Sequence, residues 1–118
     1  QAEASYVLSE FDWVTGKYQA SNDQIFWMID NLPSYPKWRW KSLILMARNY
    51  AGLGDDFQAN YTLDFVIDNA DIEDYSAEAQ DYKSELALQR EREAQQTVGV
   101  DSLSMDEFLQ EEGDELDD

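Results

Sequence analysis

From Ala2 to Val14 the apolar residues Ala4, Val7, Leu8, Phe11 and Val14 recur at three- and four-residue spacing, and Thr15-Gly16-Lys17 follows with a glycine suited to a left-handed stop. The spacing predicts a first helix. A second is predicted from Tyr18 to Asn31, carrying Ala20, Ile25, Phe26, Met28 and Ile29, and it ends where Leu32-Pro33-Ser34-Tyr35-Pro36 brings two prolines. Pro36 suits the first turn of a third helix, where a missing amide proton leaves no bond unmade, and that helix runs through Trp38 and Trp40 to Ala51. Asp55 is placed to cap a fourth helix, Gln58 completes the capping-box spacing, and the helix reaches about Asn69. After the polar turn Ala70 to Tyr75, Ser76 opens a more polar helix to about Gln96, with Ala79, Tyr82, Leu86 and Ala94 as a thin apolar stripe that packs one face only.

The clearest unit is Trp40 to Asn69, two helices joined at Gly52-Leu53-Gly54. Leu43, Met46, Ala47 and Tyr50 on the first and Ala59 and Leu63 on the second form facing stripes, and the small Ala47 and Ala59 allow the backbones to approach closely. Sliding the chain against itself by 39 residues pairs Phe11 with Tyr50, Tyr18 with Phe57, Ala20 with Ala59 and Phe26 with Phe65, so the chain reads as a repeated helical hairpin. In the second copy, Leu43-x-x-Met46-Ala47-x-x-Tyr50 followed by Ala59-x-x-x-Leu63 resembles the tetratricopeptide repeat, whose usual period is ~34 residues. In the first copy Leu8 stands where a small residue is usual and Gln24 where a large apolar one is usual.

The wording of the central part, Tyr18-Gln19-Ala20-Ser21 through Trp40-Lys41-Ser42-Leu43-Ile44-Leu45-Met46-Ala47 to Asp56-Phe57-Gln58-Ala59 and Val66-Ile67-Asp68-Asn69, is similar to the last repeats of large tetratricopeptide proteins of the Bacteroidetes cell envelope. The likeness implies an all-α fold of about two tetratricopeptide-like hairpins with a C-terminal capping helix over residues 1–96, since a repeat array needs a cap over its final apolar face. It also implies a periplasmic or outer-membrane-associated scaffold, serving secretion or surface-complex assembly. In such a superhelix the first helix of each hairpin lines the concave groove, which places Ser5, Asp12, Lys41, Ile44 and Arg48 as the groove residues. Two repeats are fewer than the three or so usually needed, so the chain is expected to be a piece of a longer protein, with an apolar surface on its first helix exposed or covered by further repeats or another chain.

Composition changes the picture most at the C-terminal end. Residues 97–118 hold nine carboxylates and no basic residue, which is half of the net charge of −18. Acid-rich sequence with little to bury is expected to stay mostly disordered, although Ser104-Met105-Asp106-Glu107 has the capping-box spacing and Met105, Phe108 and Leu109 would share one face of a short amphipathic helix. The charge opposes nucleic acid and anionic membranes as partners. No run approaches the roughly 18 apolar residues of a membrane span, so no direct insertion by this segment is expected.

The chain has no histidine, no cysteine and no glycine-rich phosphate loop, so neither catalysis nor a cofactor or metal is expected. Adjacent acids such as Asp55-Asp56 and Glu111-Glu112 follow from composition, and the tail lacks the central glycine and alternating oxygen ligands of a calcium loop. The basic residues are more informative: Lys37, Arg39, Lys41 and Arg48 are half of the eight and cluster in the third helix, with Lys41 and Arg48 on one face. They point to a protein or peptide partner, or to exposed pairs with nearby acids worth about 0 to 1 kcal/mol each. Trp13, Trp27, Trp38 and Trp40 pose a parallel choice between core and contact surface, and Trp38 and Trp40, two apart, must lie on different faces. The expected function is a non-enzymatic interaction scaffold. Its rival is an acidic regulator or decoy whose tail occupies a basic groove on a partner, and a third arrangement folds the tail onto the basic face of the third helix.

Overall fold

Gly16 and Gly54 adopt φ of 80° and 81°, the left-handed region that glycine enters without a side-chain clash, and each turns the chain out of one helix toward the next. The computed structural model describes residues 1–32 and 36–117, with side chains over 1–32 and 36–97. Four helices of two hairpins come first: α1 (Ala2–Val14), α2 (Tyr18–Asn31), α3 (Pro36–Gly52) and α4 (Asp56–Asn69). The last, α5, spans Glu73–Asp117. The described residues contain no strand, and the all-α expectation holds for them. The expected starts hold as well: Pro36 is the first residue of α3, and the Asp55 carboxylate accepts the Gln58 amide at 3.1 Å, capping α4.

The two hairpins repeat at 38 residues rather than the 39 that the aromatic match gives. Gly16 and Gly54 are 38 apart, and so are the bonds around them: Lys17 N donates to Asp12 O at 2.7 Å, and Asp55 N donates to Tyr50 O at 2.8 Å. At the far ends, Asn31 Nδ2 donates to Trp27 O at 2.8 Å and Asn69 Nδ2 to Phe65 O at 2.9 Å. In this register Ser9 matches Ala47, Ser21 matches Ala59, Ile25 matches Leu63 and Met28 matches Val66, and all eight are buried. The match at 39 is misleading because each of its aromatic pairs includes an exposed phenylalanine, Phe11, Phe26, Phe57 or Phe65, and its alanine pair sets exposed Ala20 against buried Ala59. The first copy then has a small residue, Ser9, at the close approach and an apolar one, Ile25, opposite it, which removes both mismatches at Leu8 and Gln24.

Close approach of α1 and α2 is sealed by polar groups that satisfy themselves. Ser21 Oγ donates to Ser9 O at 2.7 Å across the pair, and Ser9 Oγ donates to Ser5 O at 2.9 Å within its own helix. The matching seam between α3 and α4 is made with Ala47 and Ala59, neither of which retains any exposed surface. The helix α3 packs against α1, α2 and α4, and buries Trp40, Ser42 to Ala47 and Asn49. It is the core element.

The chain divides into two units, Gln1–Ser84 and Glu85–Asp118, so the compositional change at Thr97 lies beyond the structural division. In the first unit, the opening turns of α5 cover α4. Ser76 Oγ donates to Ile67 O at 3.0 Å, Lys83 Nζ meets Asp64 Oδ1 at 2.6 Å, and Ala79 and Tyr82 are buried. Ser76 does not cap α5, because the helix begins three residues earlier, at Glu73, and carries Glu73 and Asp74 beside its positive end. In the second unit Leu86 is buried, Ala94 is exposed, and Arg90 pairs with Glu93 at 3.0 Å on the helix surface. The helix continues to Asp117 where the sequence reading ends it near Gln96. No proline interrupts residues 97–117, and Met, Leu, Gln and Glu there are good helix formers. The tail residues Met105, Phe108 and Leu109 have side chains outside the described residues.

Candidate functional site

Seven-residue spacing places Lys41 and Arg48 on one face of α3, with Ile44 and Leu45 between them. That face, together with Tyr6, Glu10 and Trp13 of α1 and Glu78 of α5, lines a cavity of about 280 Å³. All of these residues belong to the first unit. Ile44 is buried in the wall, whereas Lys41 and Arg48 are half-buried.

The two cations rest on aromatic rings. Lys41 Nζ is 5.3 Å from the Tyr6 ring centre and 5.2 Å from that of Trp38, and those two rings stand 5.6 Å apart. Arg48 Cζ lies 4.2 Å from the Tyr82 ring centre and 5.7 Å from Trp13. Contacts of this kind are worth about 0.5 to 2 kcal/mol and hold a cation in place without neutralising it. None of the ion pairs found among the described residues includes Lys41 or Arg48. Glu10 and Glu78 share the wall, so the cavity offers charges of both signs.

The Tyr6 hydroxyl donates to Glu10 Oε2 at 3.2 Å. Its pKa is pushed up from 10.0 to about 12, by burial first and then by the charge and hydrogen bond of Glu10, while Arg48 acts in the opposite sense. Tyr6 therefore binds its proton more tightly in the folded state than in the unfolded one. Its contribution to stability is fully present below pH 10 and is lost as pH rises toward 12. Tyr6→Phe is expected to flatten the fall in stability over that range and to remove the highest step from the phenolate absorbance titration; a titration identical to the parent would disconnect Tyr6 from that step.

Of the residues that the tetratricopeptide likeness places in a groove, Lys41, Ile44 and Arg48 come together here and the other two stand apart. Ser5 is buried in the seam with α2, where its Oγ accepts from Gln24 Nε2 at 2.7 Å. Asp12 is half-buried, and its carbonyl accepts from Lys17 N and Thr15 Oγ1 at the end of α1. Sequence reasoning singled out Trp13 as either core or contact surface but missed Tyr6 and Glu10, although the i, i+4, i+7 spacing of the three marks one helix face, because the more apolar stripe of α1 took precedence. Nothing in the sequence marks Glu78, which is placed by tertiary packing.

Trp38 and Trp40 do lie on different faces. Trp38 joins Tyr6 beside α1, and Trp40 is buried toward α4, with Nε1 donating to Asp71 Oδ1 at 2.9 Å and its ring 6.2 Å from Phe65. Among the described residues no group of three or more acidic, histidine or cysteine side chains is arranged to hold a metal, and no helix is long and apolar enough to cross a membrane. Compared with family models, with curated proteins and with solved structures, the chain matches none.

Proposed function

We propose that the chain is a non-enzymatic protein-interaction module of tetratricopeptide-like hairpins, capped at α4 by the first turns of α5, within a scaffold of the bacterial envelope. Its ligand is a peptide segment bearing a carboxylate that reaches Lys41 and Arg48. The observation that carries this reading is the state of those two cations: both border a cavity, both are positioned by rings, and neither is paired with an acid of the described residues. A carboxylate entering the cavity gains charge-assisted hydrogen bonds without displacing an existing ion pair. The envelope placement rests on the likeness of the central sequence alone.

The test compares three forms in binding to envelope extract, followed by titration with the protein recovered: the full chain, the chain without residues 97–118, and Lys41→Glu/Arg48→Glu. Binding is expected to survive loss of the tail and to fall at least tenfold with the reversed charges, since one charge-assisted bond of about 1.5 to 3 kcal/mol corresponds to a factor of ten or more. Circular dichroism checks that the double variant folds, because Arg48 also packs on Tyr82. The opposite pattern, binding lost with the tail and kept with reversed charges, assigns recognition to the acidic segment instead.

A further inference from the structure

The 38-residue equivalence shows which surface of α1 corresponds to the one by which the second hairpin sits on the first. On α3 that surface is marked by contacts with α2. Ser42 Oγ lies 3.5 Å from Met28 Sδ, Asn49 Nδ2 donates to Ser21 and Asn22, and at Gly52 an added Cβ would come within 2.6 Å of the Tyr18 ring. The α1 residues 38 positions earlier are Ala4, Phe11 and Val14, and all three are exposed. Between them stand Val7 and Leu8, 54% and 58% exposed, where their equivalents Leu45 and Met46 are buried. A continuous apolar stripe therefore occupies the place of a packing surface while facing solvent.

We infer that this stripe docks a further helical hairpin, through the flank that α2 presents to α3 but with different chemistry. Where α3 offers Ser42 and Asn49 for hydrogen bonds, α1 offers Ala4 and Phe11, so the matching positions of the incoming helix must be apolar. Where Gly52 admits the Tyr18 ring, Val14 fills the space, so the residue in the place of Tyr18 must be small. A second copy of this chain meets neither demand. Its α2 flank is already covered by α3, the equivalent flank of α4 is covered by α5, with Ala59, Leu63 and Val66 fully buried, and a net charge of −18 opposes self-association. This surface is distinct from the Lys41 and Arg48 cavity, and the inference does not depend on what that cavity binds.

The test places a second copy of residues 1–38 directly before Gln1, which keeps the 38-residue period, with Tyr18→Ala and Asn22→Leu in the added copy only. Docking is expected to raise the thermal midpoint by about 5 °C or more. Phe11→Glu in the original copy separates docking from any general effect. It is expected to leave the midpoint of the parent chain within about 2 °C, because the residue is exposed there, and to erase the gain in the extended chain. An unchanged midpoint in the extended chain overturns the inference. So does a parent chain that sediments as a dimer and is made monomeric by Phe11→Glu, which would assign the stripe to a second copy.

Discussion

Replacing Leu63 with alanine is expected to lower the unfolding free energy by about 2 to 5 kcal/mol. Leu63 has no exposed surface, and it shares the inward face of α4 with Ala59 and Val66, which are equally enclosed. Alanine removes the transfer energy of the lost carbons and leaves a cavity. The cavity cannot close cheaply, because α4 is held to α5 by the Lys83–Asp64 and Ser76–Ile67 contacts and is fixed at its start by Asp55. Since about 1 kcal/mol moves the midpoint of a domain of this size by roughly 4 to 8 °C, the loss is visible in calorimetry and in urea denaturation. Ile25→Ala, at the equivalent position of the first hairpin, is expected to behave alike. Phe57→Ala is the control: that ring is 77% exposed, and its removal is expected to change stability by no more than about 0.5 kcal/mol. If Phe57 proved as costly as Leu63, the 38-residue register and the core built on it would both be wrong.

The same contrast explains what the sequence could and could not reveal. Helix limits were legible because they are set by local chemistry: a glycine that reaches positive φ at 16 and 54, a proline at 36 that fits only a first turn, and a carboxylate at 55 within reach of an amide three residues on. Which face of a helix is buried is not a local property. In α1 hydrophobicity favours Val7, Leu8, Phe11 and Val14, yet the face that packs on α2 is that of Ala2, Ser5 and Ser9. Small residues are needed where backbones approach closely, and a serine hydroxyl bonded to a carbonyl in its own helix enters such a seam with its polarity satisfied. Polarity was therefore a poor guide to burial there, and the cavity inherits the error: its α3 wall was readable from the spacing of Lys41 and Arg48, whereas its α1 wall was hidden by the misjudged face. The end of α5 was hidden for another reason. Charge and sparse apolar content argue against a packed core in residues 97–117, but they do not forbid a single helix, whose hydrogen bonds are all internal to it.

Asn22 and Asn49 are expected to show strong coupling in a double-mutant cycle. Both are fully buried at the meeting of α2 and α3, where Asn49 Nδ2 donates to Ser21 Oγ at 2.7 Å and to Asn22 Oδ1 at 3.0 Å. The remaining donor, Asn22 Nδ2, and the remaining acceptor, Asn49 Oδ1, have no partner among the described residues. Asn49→Leu takes away the bond to Asn22 Oδ1 and leaves that whole amide buried and unbonded, so it is expected to destabilise by about 2 to 3 kcal/mol. Asn22→Leu is milder, because it removes an unsatisfied donor along with the acceptor and leaves Asn49 bonded to Ser21. With both replaced, no buried amide remains, Ser21 still donates to Ser9, and two apolar side chains of similar size fill the site. The double variant is therefore expected to be at least about 1 kcal/mol more stable than the sum of the single effects predicts, and close to the parent. Urea denaturation of the four proteins measures the coupling. Simple additivity would mean that the two amides do not depend on each other, and that the second hairpin is seated on the first by the surrounding apolar contacts alone.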